Sequence, residues 1–270
     1  MTDKIEIAGR LVFAYNELVK RGYKVWVIAL YGAQNYRMET PQSDFDFKAI
    51  VFPTLEDIIN GNTPVSITID FMDGQIDIKD IRCMFKNYEK MNTNFLETLF
   101  TDYYVVNKEY EEEWGSLRDM AEDIAYADGR RALHAFIGMA KQKQHALCHP
   151  FESKLEVLNK FGYDPKQLCH IIRLHYMMSR YVMGVPYADL LKLNTAQDSQ
   201  VEHLRKIKTG EVCFPVEKAV ASANEHIEMM EKLVEEYQDS FELHQDVFDR
   251  MNEIRAGVIK KSLKEEILLA

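Results

Sequence analysis

Cysteine is scarce and scattered. Cys83, Cys148, Cys169 and Cys213 stand far apart with no C-x-x-C pair among them. That spacing fits reduced thiols in a cytoplasmic protein better than a disulfide frame or a zinc site. Uninterrupted apolar runs of about 18 residues, the length a membrane span needs, are absent too. The start, MTDKIEIAGRLVFAYNELVKRGY, lacks the basic segment, apolar core and small-residue cleavage site of a secretory signal. Positive charge is also short. The balance of 33 Lys and Arg against 43 Asp and Glu leaves a net charge of −10, which argues against nonspecific coating of nucleic acid, since that affinity comes from neutralising phosphates. Any nucleic-acid contact must be local. No internal repeat stands out.

The chain has 270 residues, enough for one large or two modest domains with a real core. Its stretch Val25 to Pro53, VWVIALYGAQNYRMETPQSDFDFKAIVFP, reads as a buried strand to Leu30, a Gly-containing turn with room for a short helix to Gln42, and a second strand from Asp44 to Phe52. Side chains in a strand repeat with period two. Asp44 and Asp46 would therefore face the same way, roughly 6 to 7 Å apart at their Cα atoms. Hard divalent cations take oxygen ligands, and phosphoryl transfer is commonly run by metal ions held on such carboxylates. By itself, D-x-D is also the pattern of solvated carboxylates at a strand start. A turn at Gly32 that opens into a helix would add backbone N–H groups for the same phosphates.

Upstream, Ile7, Leu11, Tyr15, Leu18 and Val19 share one helical stripe, with Thr2 or Asp3 as cap and Gly22 as stop. Downstream, TPVSITIDF and GQIDIKD alternate around MDG and read as two strands joined by a tight turn. Asp77 lies in the second of them. Asp80 competes with it as a third carboxylate, its other role being the N-cap of a helix from Ile81 to Met91. NTNFLETLF forms a short helix, in which Asn94 and Glu97 cap or orient the site or else simply accompany core residues, and a strand follows at Tyr103 to Val106. Near Asn107 the texture turns helical. Glycines and prolines then divide the rest into five or six helices.

Between Arg130 and His175 the cations Arg130, Arg131, Lys141, Lys143, Lys154, Lys160, Lys166 and Arg173 face only Glu152, Glu156 and Asp164. This is either a local anion-binding surface or a solvated helix face. Lys166, His170 and Arg173, at i, i+4 and i+7, line one helix face. That arrangement suits phosphate contact, or ion pairs to the first domain. His145 and His149 have the i, i+4 spacing of zinc ligands, but no carboxylate motif accompanies them. The last fifty residues are acidic and amphipathic, with Ile227, Met230, Leu233 and Tyr237 on the inner side of a helix.

YGAQNYRMETPQSDFDFKAIVFP resembles the nucleotidyltransferase signature of the DNA polymerase beta superfamily, and more closely that of its members associated with RNA repair in bacteria and their phages. QIDIKDIR, NTNFLETLF and the K-x-x-x-H-x-x-R-L pattern of Lys166, His170, Arg173 and Leu174 extend the likeness over most of the chain. The resemblance implies an α+β fold, with a mixed-sheet catalytic domain at 1–107 and a helical domain at 108–270 covering the active-site cleft. It implies transfer of an NMP from a nucleoside triphosphate to an acceptor hydroxyl, RNA being one candidate, with Mg²⁺ or Mn²⁺ as cofactor. Asp44, Asp46 and Asp77 would be the catalytic metal ligands. Gly32, Ala33, Gln34, Asn35, Ser43, Lys48, Lys166, His170 and Arg173 would bind the nucleotide. One departure is Ala33, where the superfamily usually has a serine that binds phosphate. It leaves open a catalytically weak or inactive nucleotide-binding homologue that acts through a protein partner.

Overall fold

The computed structural model describes residues 4–40, 43–149, 155–193 and 198–269. Helix α1 spans Lys4–Lys20 and buries Ile7, Leu11, Ala14 and Leu18. Val19 stays 47% exposed, so the buried stripe runs beside the expected one. The proposed caps Thr2 and Asp3 lie outside the described residues.

Five strands follow: β1 (Val25–Tyr31), β2 (Asp46–Val51), β3 (Ser66–Phe71), β4 (Gly74–Asp80) and β5 (Tyr104–Val106). They form one sheet in the order β3-β4-β2-β1-β5. Only the β2–β4 pairing is parallel. The sheet is therefore mixed and the fold α+β, as the resemblance implies. The core on the α1 side takes Leu30 from β1, Phe47, Ala49 and Val51 from β2, and Ile76 and Ile78 from β4. Period two then sends Asp46 and Lys48, and Asp77 and Lys79, to the opposite face. The hairpin needs its glycine. A Cβ on Gly74 would meet the Phe45 carbonyl oxygen at 2.1 Å, so the turn closes beneath the start of β2.

Two local expectations fail. Strand β2 begins at Asp46 rather than Asp44, because β1 ends at Tyr31 opposite Asp46 and the Gln34 side chain, not a strand neighbour, bonds the Asp44 carbonyl at 2.8 Å. The segment after Tyr31 forms turns instead of a short helix. Gly32 has φ +94° and Arg37 φ 59°, positive values that a right-handed helix does not admit.

Helices α3 (Ile81–Glu89), α4 (Thr93–Phe100), α5 (Glu111–Asp119) and α6 (Ala121–Tyr126) follow the strands, after a short α2 at Leu55–Ile59. The remaining helices are α7 (Gly129–Cys148), α8 (Leu155–Phe161), α9 (Pro165–Tyr181), α10 (Tyr187–Leu191), α11 (Asp198–Thr209), α12 (Val216–Tyr237) and α13 (Gln245–Leu269). That is more than the glycines and prolines suggest, in part because the break between α5 and α6 at Met120 and the connection between α12 and α13 carry neither. No helix among the described residues is long and apolar enough to cross a membrane.

The chain divides into two compact units. A sheet unit comprises 1–35, 41–127 and 244–270, and a helical unit comprises 36–40 and 128–243. The expected boundary near Asn107 marks the end of the strands but not of the sheet unit. Trp114 of α5 packs edge-on against Trp26 of β1 at 5.6 Å between ring centroids, and both are almost wholly buried. Helix α13 also returns to the sheet unit, where Glu265 pairs with Lys24 at 2.8 Å and Glu266 accepts from the Leu55 N–H at 2.9 Å. In the helical unit α9 is central and packs against α7, α11 and α12.

Candidate active site

The turn after β1 is shaped by its own side chains. Asn35 donates from Nδ2 to the Leu30 carbonyl at 3.0 Å, and its Oδ1 accepts from the Thr101 hydroxyl at 2.9 Å. Gln34 donates to the Asp44 carbonyl. Two of the expected phosphate-binding side chains are thus committed to the loop, and Ala33 brings no donor. The Gly32 N–H donates to Glu97 Oε2 at 3.2 Å. A Cβ on Gly32 would lie 4.0 Å from Asp46 Oδ2. The left-handed glycine therefore sits between the carboxylates of Asp46 and Glu97.

On the sheet face away from α1, Lys48 and Asp77 are register partners across β2 and β4. Lys48 Nζ lies 3.1 Å from Asp77 Oδ2 and Lys79 Nζ lies 2.8 Å from Oδ1. The Thr68 hydroxyl adds a 3.5 Å contact to Oδ1. Lys48 is 4% exposed and Asp77 8%, so this is a nearly buried group of charges. Lys48 Nζ also sits 3.6 Å from the centroid of the Tyr31 ring and 4.6 Å from that of Phe95. Burial first, and then the charges of Asp46, Asp77 and Glu97, push the Tyr31 phenol well above its ordinary value.

Asp44 is exposed and Asp46 half-buried. Asp80 takes its structural role as N-cap of α3, accepting from the Arg82 N–H at 2.7 Å while the Arg82 guanidinium grips both its oxygens at 2.9 and 2.7 Å. Among the described residues no three His, Cys, Asp or Glu side chains come together to hold a metal ion. Mg²⁺ asks for less than that. It usually takes one or two carboxylates and completes its shell with substrate phosphates and water. Asp46, beside the left-handed Gly32, offers one such carboxylate, whereas Asp44 falls before β2, where the strand period no longer aligns it with Asp46, and Asp77 is neutralised by two lysines. His145 and His149 meet at the end of α7, with His149 Nδ1 3.2 Å from the His145 carbonyl and the ring centroids 5.3 Å apart.

Lys166, His170 and Arg173 belong to the helical unit. Lys166 is exposed, His170 half-buried and Arg173 3% exposed. Neither Lys166 nor Arg173 pairs with a carboxylate among the described residues. Part of the surrounding basic surface is spent on ion pairs, Arg131 with Asp128 at 3.2 Å and Lys141 with Glu231 at 2.6 Å.

The sequence model of the RNA repair pathway DNA polymerase beta family matches residues 16–256. The chain belongs to that family. The match takes in the Gly32 turn, the carboxylates of β2 and β4, Glu97, and the α9 triad. The family suggests a polymerase beta-like nucleotidyltransferase. Among solved structures, a nucleotidyltransferase-like protein from Exiguobacterium sibiricum 255-15 aligns over 86% of this chain and 75% of that chain, at 11% identity and a TM-score of 0.32. No curated protein matches the chain.

Proposed function

We propose that the protein moves an NMP from a nucleoside triphosphate to an acceptor hydroxyl, with RNA as the acceptor in repair or modification, and releases pyrophosphate. The observation that carries this is the placement of Asp46 Oδ2 beside the left-handed Gly32, with Lys48 and Asp77 next to it on one sheet face. Asp46 would hold Mg²⁺ or Mn²⁺, which when bound neutralises triphosphate charge and polarises the phosphoryl group. The backbone around Gly32, with no Cβ at its centre, lets phosphate oxygens approach closely. Ser43, one residue before Asp44, would be a further donor.

In this reading Lys48 exchanges partners. Its ammonium leaves Asp77 for the incoming phosphates, and Asp77, then held by Lys79 through Oδ1 alone, accepts the proton of the attacking hydroxyl on Oδ2. Glu97 holds the Gly32 N–H and keeps the turn in shape. A second reading is favoured by two observations, Ala33 in the turn and the double lysine lock on Asp77. It is a nucleotide-binding homologue in which that lock does not open, so that the chain binds without turnover and acts through a partner.

Thermal stability of wild type and Asp46→Asn with each ribonucleoside triphosphate, with and without Mg²⁺, tests the binding site. Ligand at 100 times its Kd adds about 2.7 kcal/mol, a shift of several degrees. A Mg²⁺-dependent shift lost in the variant supports the site and names the preferred base. No shift with any nucleotide in a cooperatively melting protein overturns the enzyme reading. Transfer of labelled NMP to RNA then separates turnover from binding alone.

A further inference from the structure

Arg173 is an expensive residue to place where it is. Its side chain is almost wholly buried, its guanidinium carbon lies 3.8 Å from the centroid of the Tyr36 ring, and Nη1 touches Met177 Sδ at 3.3 Å. Nε has no hydrogen-bond partner. Desolvating a cation is costly unless a counter-charge accompanies it, and stacking on a ring returns only part of that cost. The buried arginine is therefore poorly explained as a packing element.

Its surroundings add positive charge. Burial first, then Arg173, Lys166, Lys143 and Lys208, hold the His170 imidazole well below its ordinary pKa. Lys143 is lowered by burial and then by Lys166 and Arg173, and Lys208 by burial and then by Lys166. These side chains come from α7, α9 and α11, three helices that pack together. Two acids stand nearby, Asp164, whose charge acts on Lys143, and Glu39, whose charge acts on Lys208. Asp164 caps α9 through the Lys166 N–H at 2.9 Å and the Gln167 amide at 3.1 Å, and Glu39 faces Arg205 at 3.6 Å. Lys208 also donates to the Met38 carbonyl at 2.8 Å, which ties down the 36–40 segment and keeps the Tyr36 ring against Arg173.

We infer that the helical unit carries a phosphate site of its own, in which Lys143, Lys166 and Lys208 supply charge, Arg173 offers planar donors and His170 gives a hydrogen bond. Arg suits phosphate because its fork places two N–H donors on two oxygens. Four cations against the two carboxylates of Asp164 and Glu39 leave an excess that matches a phosphomonoester or polyphosphate end, near two negative charges, better than a single diester. The site contains no carboxylate metal ligand and needs no divalent cation. It goes beyond the nucleotidyl-transfer reading and stands whether or not the sheet unit turns over nucleotide.

The test is calorimetric titration of the full-length protein in EDTA with inorganic phosphate, pyrophosphate, ATP, and a short RNA bearing either a 5′-phosphate or a 5′-hydroxyl. Arg173→Met keeps the bulk of the side chain, and Lys166→Met changes an exposed residue that the fold does not need. Expected is binding of pyrophosphate or a phosphate-bearing ligand by wild type, weakened at least tenfold by Arg173→Met and severalfold by Lys166→Met at unchanged melting temperature. If Arg173→Met does not fold, the Lys166→Met comparison decides alone. RNA binding that requires the 5′-phosphate assigns the site to a nucleic-acid end, and ATP binding without RNA binding assigns it to a nucleotide tail. Absence of binding by wild type to all of these probes overturns the inference, as does affinity unchanged in Lys166→Met and in any folded Arg173→Met. Asp46→Asn should leave this EDTA-resistant binding intact while losing the Mg²⁺-dependent shift, so the two sites fail separately.

Discussion

Lys48 and Asp77 face each other across the one parallel pairing in the sheet, 3.1 Å apart and nearly out of solvent. Lys48→Met should leave Asp77 with Lys79 as its remaining ammonium partner. A buried acceptor that loses a partner costs about 1 to 3 kcal/mol. Urea unfolding should show that loss, and a cycle with Asp77→Asn should show that the two changes are not additive.

Gly32→Ala should harm both stability and ligand binding. The methyl has room, since its nearest neighbour is Asp46 Oδ2 at 4.0 Å, but φ +94° is strained for any residue with a Cβ. The expected cost is about 1 to 2 kcal/mol, with loss of the nucleotide-induced thermal shift. Ala33→Ser works the other way. It restores a hydroxyl to the turn and should tighten nucleoside triphosphate binding severalfold, as read by titration, without lowering the melting temperature.

Asp77 and Asp80 should separate cleanly. Asp80→Ala removes the α3 cap and the partner of Arg82, which should lower stability by about 1 to 2 kcal/mol and leave nucleotide affinity unchanged. Asp77→Asn should abolish NMP transfer while nucleotide still binds. Paired melting and transfer measurements on the two variants check this assignment.

Acid should weaken the helical unit. His175 and His226 approach at 2.9 Å between their Nδ1 atoms. Burial, then His226, holds His175 down at about 4, and burial lowers His226 too; His170 is held well down by burial and the surrounding cations. A base with a depressed folded pKa takes up protons in the unfolded chain first. Stability is therefore full above about pH 6.5 and falls as pH drops from there toward 4. Melting temperature measured across that window should decline, and His175→Asn should flatten the decline.

Much of the sheet unit was legible because its signals are local. The apolar run of β1, the alternation of β3 and β4 around Met72 to Gly74, and Asp80 before an amphipathic helix each specify their own structure. Period two also put Lys48 on the same face as Asp46. What the sequence could not tell was which distant groups meet. The Asp44 carbonyl is captured by the Gln34 side chain, a contact no spacing encodes, and so the strand starts two residues late. The lock on Asp77 depends on the β2–β4 register. The boundary misplaced at Asn107 reflects Trp114 packing on Trp26, a tertiary contact. The α9 stripe could be read from its spacing, whereas Lys143 and Lys208 join it only through the packing of α7 and α11.

The return of α13 also fixes an order of assembly. The chain leaves the sheet unit after Ala127 and rejoins it at His244, whose N–H donates to the Ala127 carbonyl at 2.8 Å. During synthesis, residues 128–243 emerge from the ribosome whole while the sheet still lacks Glu265 for Lys24 and Glu266 for the Leu55 N–H. The helical unit can thus finish folding first, and the sheet unit, though begun earlier, closes last. A stalled or shortened chain that ends before α13 would present a nearly complete helical unit attached to an unfinished sheet unit.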